Sequence, residues 1–349
     1  MTLRSVDDTI ASLQSMPSLK LKAPAHAFAE RSRKLVLGVH SMQDHMTDEG
    51  WQITHGLSLN GYLHCGHKLP VNTVSVPKLV NDHQPGTIVI QDIREWEVAR
   101  RDFRDQRAGF QGIHVLRNMP EVFRLTILKD SHQRPDYHRM CSERMGIHAW
   151  VVYYNPRIVS HLAKYVRSRH LIRTTHSIDP LVVPDFSDTR AFDTLFSGAI
   201  SGAYPLRKRM LESRDKLAMH VHPHPGYHRK GSVVPEFLRM LNTFKVAICT
   251  SSMYGYALRK LIESTACGCR IITDLPTDEI LPVIEENLVR VPTDISIEEM
   301  NQTILQEASQ WDAEKQRQLA IRAIEHYDYR AVTSRLAVDI EYMKQNYES

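Results

Sequence analysis

The chain has 349 residues, 42% of them hydrophobic and 24% charged, which is ordinary for a globular protein and long enough for two cores. No apolar run approaches the roughly 20 residues that span a bilayer, and the opening "MTLRSVDDTIASLQSM" lacks the apolar core of a secretory signal. Five cysteines, an odd number at no framework spacing, argue against a disulfide scaffold and fit a reducing, cytoplasmic setting.

The net charge of +4 is unevenly spread. Residues 1–180 carry 24 Lys+Arg against 17 Asp+Glu, whereas residues 181–349 carry 20 against 23. Fourteen of the 19 histidines also lie before residue 181. An acidic partner or substrate is therefore expected on the first half.

In chain order, a polar N-terminal helical extension precedes short apolar, β-branched runs that read as strands buried on both faces: 34–40, 87–92, 113–118, 123–130, 149–154 and 171–179. Helical patterns lie between them. "TDEGWQITHGLSLNGYLHCG" opens on Thr47 as a candidate N-cap, and "NPRIVSHLAKYVRSRH" opens on Asn155-Pro156. The second half repeats the alternation, with strands at 193–200, 217–223, 245–251, 270–274 and 288–292. Its helices are predicted at 204–216, 233–244, 257–267, 296–309 and along a polar-faced stretch from about 311 to 346. Strand–helix alternation with short connections predicts parallel sheets covered on both faces. The expected fold is α/β, with two Rossmann-like domains facing a cleft. Residues 1–183 form the acceptor-side domain, residues 184–330 the second domain, and residues 331–349 a C-terminal helix crossing back to the first. The Pro-bearing "DPLVVPDFSDTR" (179–190) marks the boundary.

"FSGAISGAYPLRKRM" follows the first strand of the second half. Gly198, Ser201 and Gly202 make a small flexible loop, Pro205 opens a helix, and Arg207, Lys208 and Arg209 stand in its first turn. Cations there oppose the helix dipole unless an anion accompanies them, so the loop is a candidate phosphate site. Neither a dinucleotide fingerprint nor a P-loop is present. In "YALRKLIESTACGCRIITD", Lys260 and Glu263 are three apart and share a helix face, as a surface ion pair or as ligands at the mouth of a cleft. The histidines of "HCGH" (64–67) and "HVHPHPGYH" (220–228) lack a third ligand at metal spacing, so no metal is expected.

The stretch "LNTFKVAICTSSMYGYALRKLIESTACGCRIITD", with "EHYDYRAVTSRLAVDI" after it, resembles the C-terminal half of GT-B-fold glycosyltransferases, in particular the group-1, CgeB-like type. The matching residues are Lys260, Glu263, Ala266-Cys267-Gly268 and His326 to Arg330, with Arg207 matching the family's phosphate-loop helix. The resemblance implies a nucleotide-diphospho-sugar co-substrate, a UDP-sugar by preference, and no catalytic metal. Glu263 is implied on the ribose and Arg207 and Lys260 on the diphosphate. Gly198, Ser201, Tyr254 and Gly255 are implied beside them, and "HVHPHPGYH" near the base. There are two departures. Gly255 stands where many members have a second glutamate, and Lys260 stands where arginine is usual.

Acceptor chemistry is expected at the strand ends of the first half. Asp44, Asp130, His132 and His176 are the candidate catalytic groups, with His40, His45, Glu49, Ser131, Ser177 and Asp179 near them. Basic stretches with interleaved aromatics supply Arg100, Arg101, Arg104, Arg134 and Arg139 for an acidic acceptor. That acceptor is a hydroxymethylated pyrimidine in DNA or a lipid-linked sugar at a membrane surface. A polysaccharide or glycoconjugate transferase, a sugar-nucleotide epimerase and a non-enzymatic nucleic-acid-binding protein are the competing readings.

Overall fold

The computed structural model describes residues 28, 33–39, 48–67, 73–91, 109–111, 113–128, 142–143, 145–153, 170–199, 201–224 and 233–347. Two parallel sheets organise them. The first comprises β1 (Lys34–Val39), β2 (Tyr62–His67), β4 (Thr87–Ile90), β6 (Phe123–Leu128), β7 (Ala149–Val152) and β8 (Leu171–Arg173), in the order β2-β1-β4-β6-β7-β8. A separate parallel pair joins β3 (Thr73–Ser75) to β5 (Gly109–Gln111). The second sheet comprises β9 (Phe192–Ser197), β10 (His220–His222), β11 (Phe244–Ile248), β12 (Arg270–Thr273) and β13 (Leu288–Arg290), in the order β10-β9-β11-β12-β13.

Every residue of β4, β6 and β7 is buried, as mostly apolar strands covered on both faces are, and even Arg124 within β6 is buried, its guanidinium donating to Met119 O and its Nε to Gly146 O. In the second sheet alternate residues separate two cores. Leu195, Ala247 and Ile271 pack with α4 (Val234–Leu241) and α5 (Arg259–Ala266), whereas Phe196, Val246, Ile248 and Ile272 pack with α3 (Pro205–Glu212) and α6 (Ile297–Ser309). The chain steps from β9 to β10 on one side and returns to β11 on the other. The C-terminal ends of β9 and β11 therefore border the crevice where such sheets hold ligands.

Three expected elements differ. Residues 113–118 form a 3₁₀ helix rather than a strand. Of residues 115–118 only Leu116 is buried, so a doubly covered strand has no partner faces there. The helix predicted from Thr47 through Gly66 is two elements. α1 (Glu49–Leu59) stops at Asn60-Gly61, and the chain turns directly into β2. Thr47 lies outside the described residues, as does the helix predicted from Asn155. The stretch 311–346 is likewise split, into α7 (Ala313–Tyr327) and α8 (Tyr329–Gln345), with Asp328 capping α8 through Arg330 N.

That split is where the chain returns to the first sheet. Ile178 N donates to Tyr327 O (2.9 Å) and Tyr329 N donates to Ile178 O (3.0 Å), so the outgoing and returning segments cross side by side. The buried Ile178 and Tyr327 anchor this crossing, and the Tyr327 hydroxyl donates to Pro282 O. α8 then lies on α1. Lys34 on β1 pairs with Glu341 at 2.8 Å, and Leu336 and Ile340 join the core built on Val36, Ile53, Leu57 and Val89.

The α1–α8 seam is close enough to be tested. A Cβ at Gly56 would lie 2.2 Å from Thr333 Oγ1 and 2.7 Å from its Cγ2. Helix propensity favours alanine over glycine by about 1 kcal/mol, but overpacking costs about 1–3 kcal/mol. Gly56→Ala should therefore lower stability in urea unfolding, with part of the loss recovered in Gly56→Ala/Thr333→Ala. An unchanged or raised midpoint for the single variant would show that α8 does not seat on α1.

Candidate functional site

The crevice at β9 and β11 gathers two of the cations the sequence singles out, Arg207 and Lys260, whereas Lys208 faces Glu212 at 3.8 Å on the surface and Arg209 donates to Thr293 O at 3.0 Å. Gly198, just past β9, has φ of +134°, a conformation that favours glycine, and a Cβ there would lie 2.7 Å from Arg207 Nη1 and 2.9 Å from Lys260 Nζ. Arg207, only 3% exposed, donates from Nη1 to Ala199 O (2.7 Å) and from Nε to Thr250 Oγ1 (2.9 Å), with its guanidinium 3.8 Å over the Tyr204 ring. Lys260 Nζ donates to Ser197 O (2.9 Å) and Ser197 Oγ (3.1 Å). Among the described residues no carboxylate lies within ion-pair distance of Lys260. Burial, reinforced by the Arg207 charge, pulls the Lys260 ammonium down to about 8. The buried Arg207 and the half-buried Lys260, side by side around a bare glycine backbone, are arranged for an anion. Neither α3 nor α5, whose N-termini flank the crevice, carries a side-chain N-cap bond.

The other predicted donor-side residues fall on the rims. Ser201 is exposed and its Oγ accepts from Ala203 N, closing the loop before α3. Tyr254 is 38% exposed and stacks on Tyr256 at 5.6 Å. Gly255 has φ of +67°, and a Cβ there would lie 2.9 Å from Pro276 Cγ. The absence of a glutamate at 255 thus has a physical basis: this turn takes a left-handed residue without a side chain. Asp274, at the end of β12, went unnoticed in the sequence. It accepts from Ser251 N at 2.5 Å, and burial pushes its carboxyl up.

The expected Lys260–Glu263 pairing is corrected. Lys260 turns to Ser197, and it is Arg259, one full turn from Glu263, whose Nε lies 3.0 Å from Glu263 Oε1. The Arg259 Nη2 reaches Asp48 Oδ1 at 2.6 Å, across to the start of α1 in the first half. Burial alone would lower the Arg259 guanidinium, but Glu263, Asp48 and Glu49 outweigh it and raise it. Burial also pushes the Glu263 carboxyl up, Asp48 adds to this, and Arg259 opposes it. The Arg259–Glu263 spacing was visible as a helical i,i+4 pair. Asp48 was not, because nothing local links it to Arg259.

Beside Asp48, Glu49 Oε1 meets His176 Nδ1 at 2.5 Å, and the imidazole stacks on Tyr153 with ring centroids 4.7 Å apart. His176 is therefore brought to the same junction as Arg259 and Glu263, whose carboxyl feels the His176 charge. Its neighbours serve the crossing segment. Ser177 Oγ donates to the buried Gln52 (2.7 Å), and Asp179 caps the turn at Pro180–Val182. Asp44, Asp130 and His132 lie outside the described residues, as do His40, His45, Ser131, Arg100, Arg101, Arg104, Arg134 and Arg139. The His326-to-Arg330 element is spent on the crossing, with Arg330 paired to Asp328 at the surface. Among the described residues no group of three or more His, Cys, Asp and Glu side chains is arranged to hold a metal, and no helix is long and apolar enough to cross a membrane.

Arg259→Met leaves Asp48 and Glu263 as buried acids without their cation, which should cost about 3–5 kcal/mol of unfolding free energy near neutral pH. Burial already holds the Glu263 carboxyl above its unfolded value, and loss of the Arg259 charge, which opposes that shift, raises it further. The variant's deficit should therefore be small at low pH and grow as pH rises through the raised folded pKa. Urea unfolding at pH 5 and pH 8 checks this, and a pH-independent deficit would contradict it.

No protein-family model and no curated protein sequence matches the chain. Solved structures do match it. HepE from Anabaena, in complex with UDP-glucose, is 10% identical with a TM-score of 0.57, covering 88% of this chain and 99% of that one. A glycosyltransferase from Rickettsia africae is 8% identical at 0.56, covering 89% and 99%, and sucrose-phosphate synthase from Thermosynechococcus elongatus is 12% identical at 0.54, covering 90% and 99%. The chain has the α/β fold of the GT-B glycosyltransferases, two parallel sheets clothed by helices.

Proposed function

We propose that the protein transfers a sugar from a UDP-sugar to a hydroxyl acceptor. The observation that carries this reading is the buried Arg207 and the half-buried Lys260 converging on Gly198 at the crevice of the second sheet. A diphosphate supplies the charge that pair lacks, and the pair in turn neutralises the diphosphate as it leaves. Glu263 takes the ribose hydroxyls, while Gly198, Ser201, Tyr254 and Gly255 line the rest of the donor site. That HepE was solved with UDP-glucose on the same fold supports the choice of donor.

In the transfer step, the acceptor oxygen forms a bond to the anomeric carbon and loses its proton. The carbon–phosphate-oxygen bond breaks, and its electron pair goes to the diphosphate. His176 is our candidate to take the proton, with Glu49 holding its Nδ1 and Tyr153 holding its plane. The candidates Asp44, Asp130 and His132 belong to the same half. The excess of basic residues before position 181 supports an acidic acceptor, and we take that acceptor to be a hydroxymethylated pyrimidine in DNA, met by Arg100, Arg101, Arg104, Arg134 and Arg139. The donor chemistry proposed here asks for no metal.

Calorimetry with UDP tests the donor half of this reading. Lys260 must be protonated to serve the diphosphate, so its contribution to affinity should be complete below about pH 7.5. Affinity should then fall by up to about tenfold per pH unit above about 8. Lys260→Met should weaken binding by about 10- to 100-fold and abolish that pH dependence. Absence of binding by any nucleoside diphosphate would sink the reading.

The acceptor half predicts retention of DNA that falls steeply between about 50 and 200 mM salt. It also predicts transfer of hexose mass onto hydroxymethylated DNA only when a UDP-sugar is present. Conversion of the sugar nucleotide without any acceptor would point to an epimerase instead.

A further inference from the structure

The register of the second sheet places two more titratable groups, His222 and His224, towards the crevice. β10 lies beside β9 in parallel, with His220 opposite Leu195 and His222 opposite Ser197. Paired residues on adjacent strands point to the same face. Leu195 belongs to the core under α4 and α5, and the Ser197 hydroxyl receives Lys260 from α5. His222 therefore stands on the Lys260 side of the sheet, one strand out from the Gly198 loop. His224 follows two residues later and is half-buried like His222. The charged groups facing them are Lys260 from α5 and Arg207 from α3, with His220 on their own strand. Among the carboxylates, Asp274 at the end of β12 feels the Arg207 charge, and Glu263 acts on Lys260 from their shared helix.

We propose that His222 and His224 form the outer wall of the diphosphate site and that donor binding is coupled to proton uptake by their imidazoles. This rests on the donor reading above and adds to it a specific proton inventory. In the free protein, burial and the neighbouring Lys260 and Arg207 charges hold both imidazoles below their ordinary value, so they are mostly neutral at pH 7. A diphosphate inserted among the four groups reverses the sign of the local field. It offers acceptor oxygens to imidazole N–H groups, which favours the charged form. Lys260, titrating near 8, is already largely protonated at pH 7 and takes up little more.

UDP-glucose is a suitable probe because its diphosphate has no proton to gain or lose near neutrality. Calorimetric titrations of the full chain at pH 7 in buffers of different ionisation enthalpy give the protons taken up per ligand bound. The wild type should take up a substantial fraction of one proton or more. His222→Asn/His224→Asn should take up almost none, and should bind about tenfold more weakly than wild type at pH 6.5 while approaching it at pH 8.5. The imidazole signals of the single variants His222→Asn and His224→Asn, followed by nuclear magnetic resonance, should show the remaining histidine titrating higher when UDP-glucose is bound. Unchanged proton uptake in the double variant, or an affinity loss equal at both pH values, would overturn the proposal and leave the donor reading intact. No binding of UDP-glucose by the folded wild type at any pH would overturn both.

Discussion

The buried guanidinium of Arg259 is the constraint on which the rest of the candidate site depends. It is 8% exposed and lies between Glu263 on its own helix and Asp48 at the start of α1. A cation so placed is tolerable only while both carboxylates remain, because the desolvation cost of each charge is offset by the others. One partner comes from each half of the molecule, so the pairing ties the second sheet's α5 to the first sheet's α1. Lys260 follows Arg259 by one residue, a rotation of about 100° around the helix. That rotation turns one cation to the junction and the next to the Gly198 loop. A single turn of α5 thus joins the docking of the two halves to the geometry of the anion site.

The backbone around that turn carries as much information as the side chains. At Gly198 the missing Cβ leaves room for the two cations, and at Gly255 it leaves room for Pro276. The second position is instructive because the resemblance to group-1 enzymes anticipates a glutamate there. A positive φ packed against a proline ring excludes it without rearrangement of the turn. What the turn supplies instead is the entry to α5 and the exposed Tyr254, stacked on Tyr256, whose ring reaches the core shared with α8.

Much of this was legible in the residues. Strands with unbroken apolar runs, such as "TIVI" and "AWVV", were found because double burial leaves no other reading for four β-branched or aromatic residues in a row. β2 was missed because its "YLHCGH" is polar and sits at the sheet edge, where one side needs no apolar cover. The small residues and cations after β9 raise the expectation of an anion, since like charges in a first helical turn need a counter-charge; in the fold Arg207 turns to the loop at Ala199, while Lys208 is answered by Glu212. The assignment of Glu263 to Lys260 failed for a different reason. Helical spacing makes residues three and four apart equally near, and only the position of the Ser197 carbonyl on one side and Asp48 on the other decides between them. Asp48 itself carried no local signal, because its importance lies wholly in a contact made across the fold.

The crossing of the chain explains why the junction can hold such closely set groups. Ile178 is hydrogen-bonded on both sides to the returning segment at Tyr327 and Tyr329. The residue before it, Ser177, is fixed to Gln52, and the one before that, His176, to Glu49. Three successive residues of one extended segment are thus tied down, the first two to α1 and the third to the returning chain. His176 through Glu49 and Asp48 at the start of the same helix are both held on α1, and Arg259 joins α5 to them through Asp48. On the proposed reading, the distance between the proton acceptor and the diphosphate is set chiefly by whether Arg259 keeps hold of Asp48.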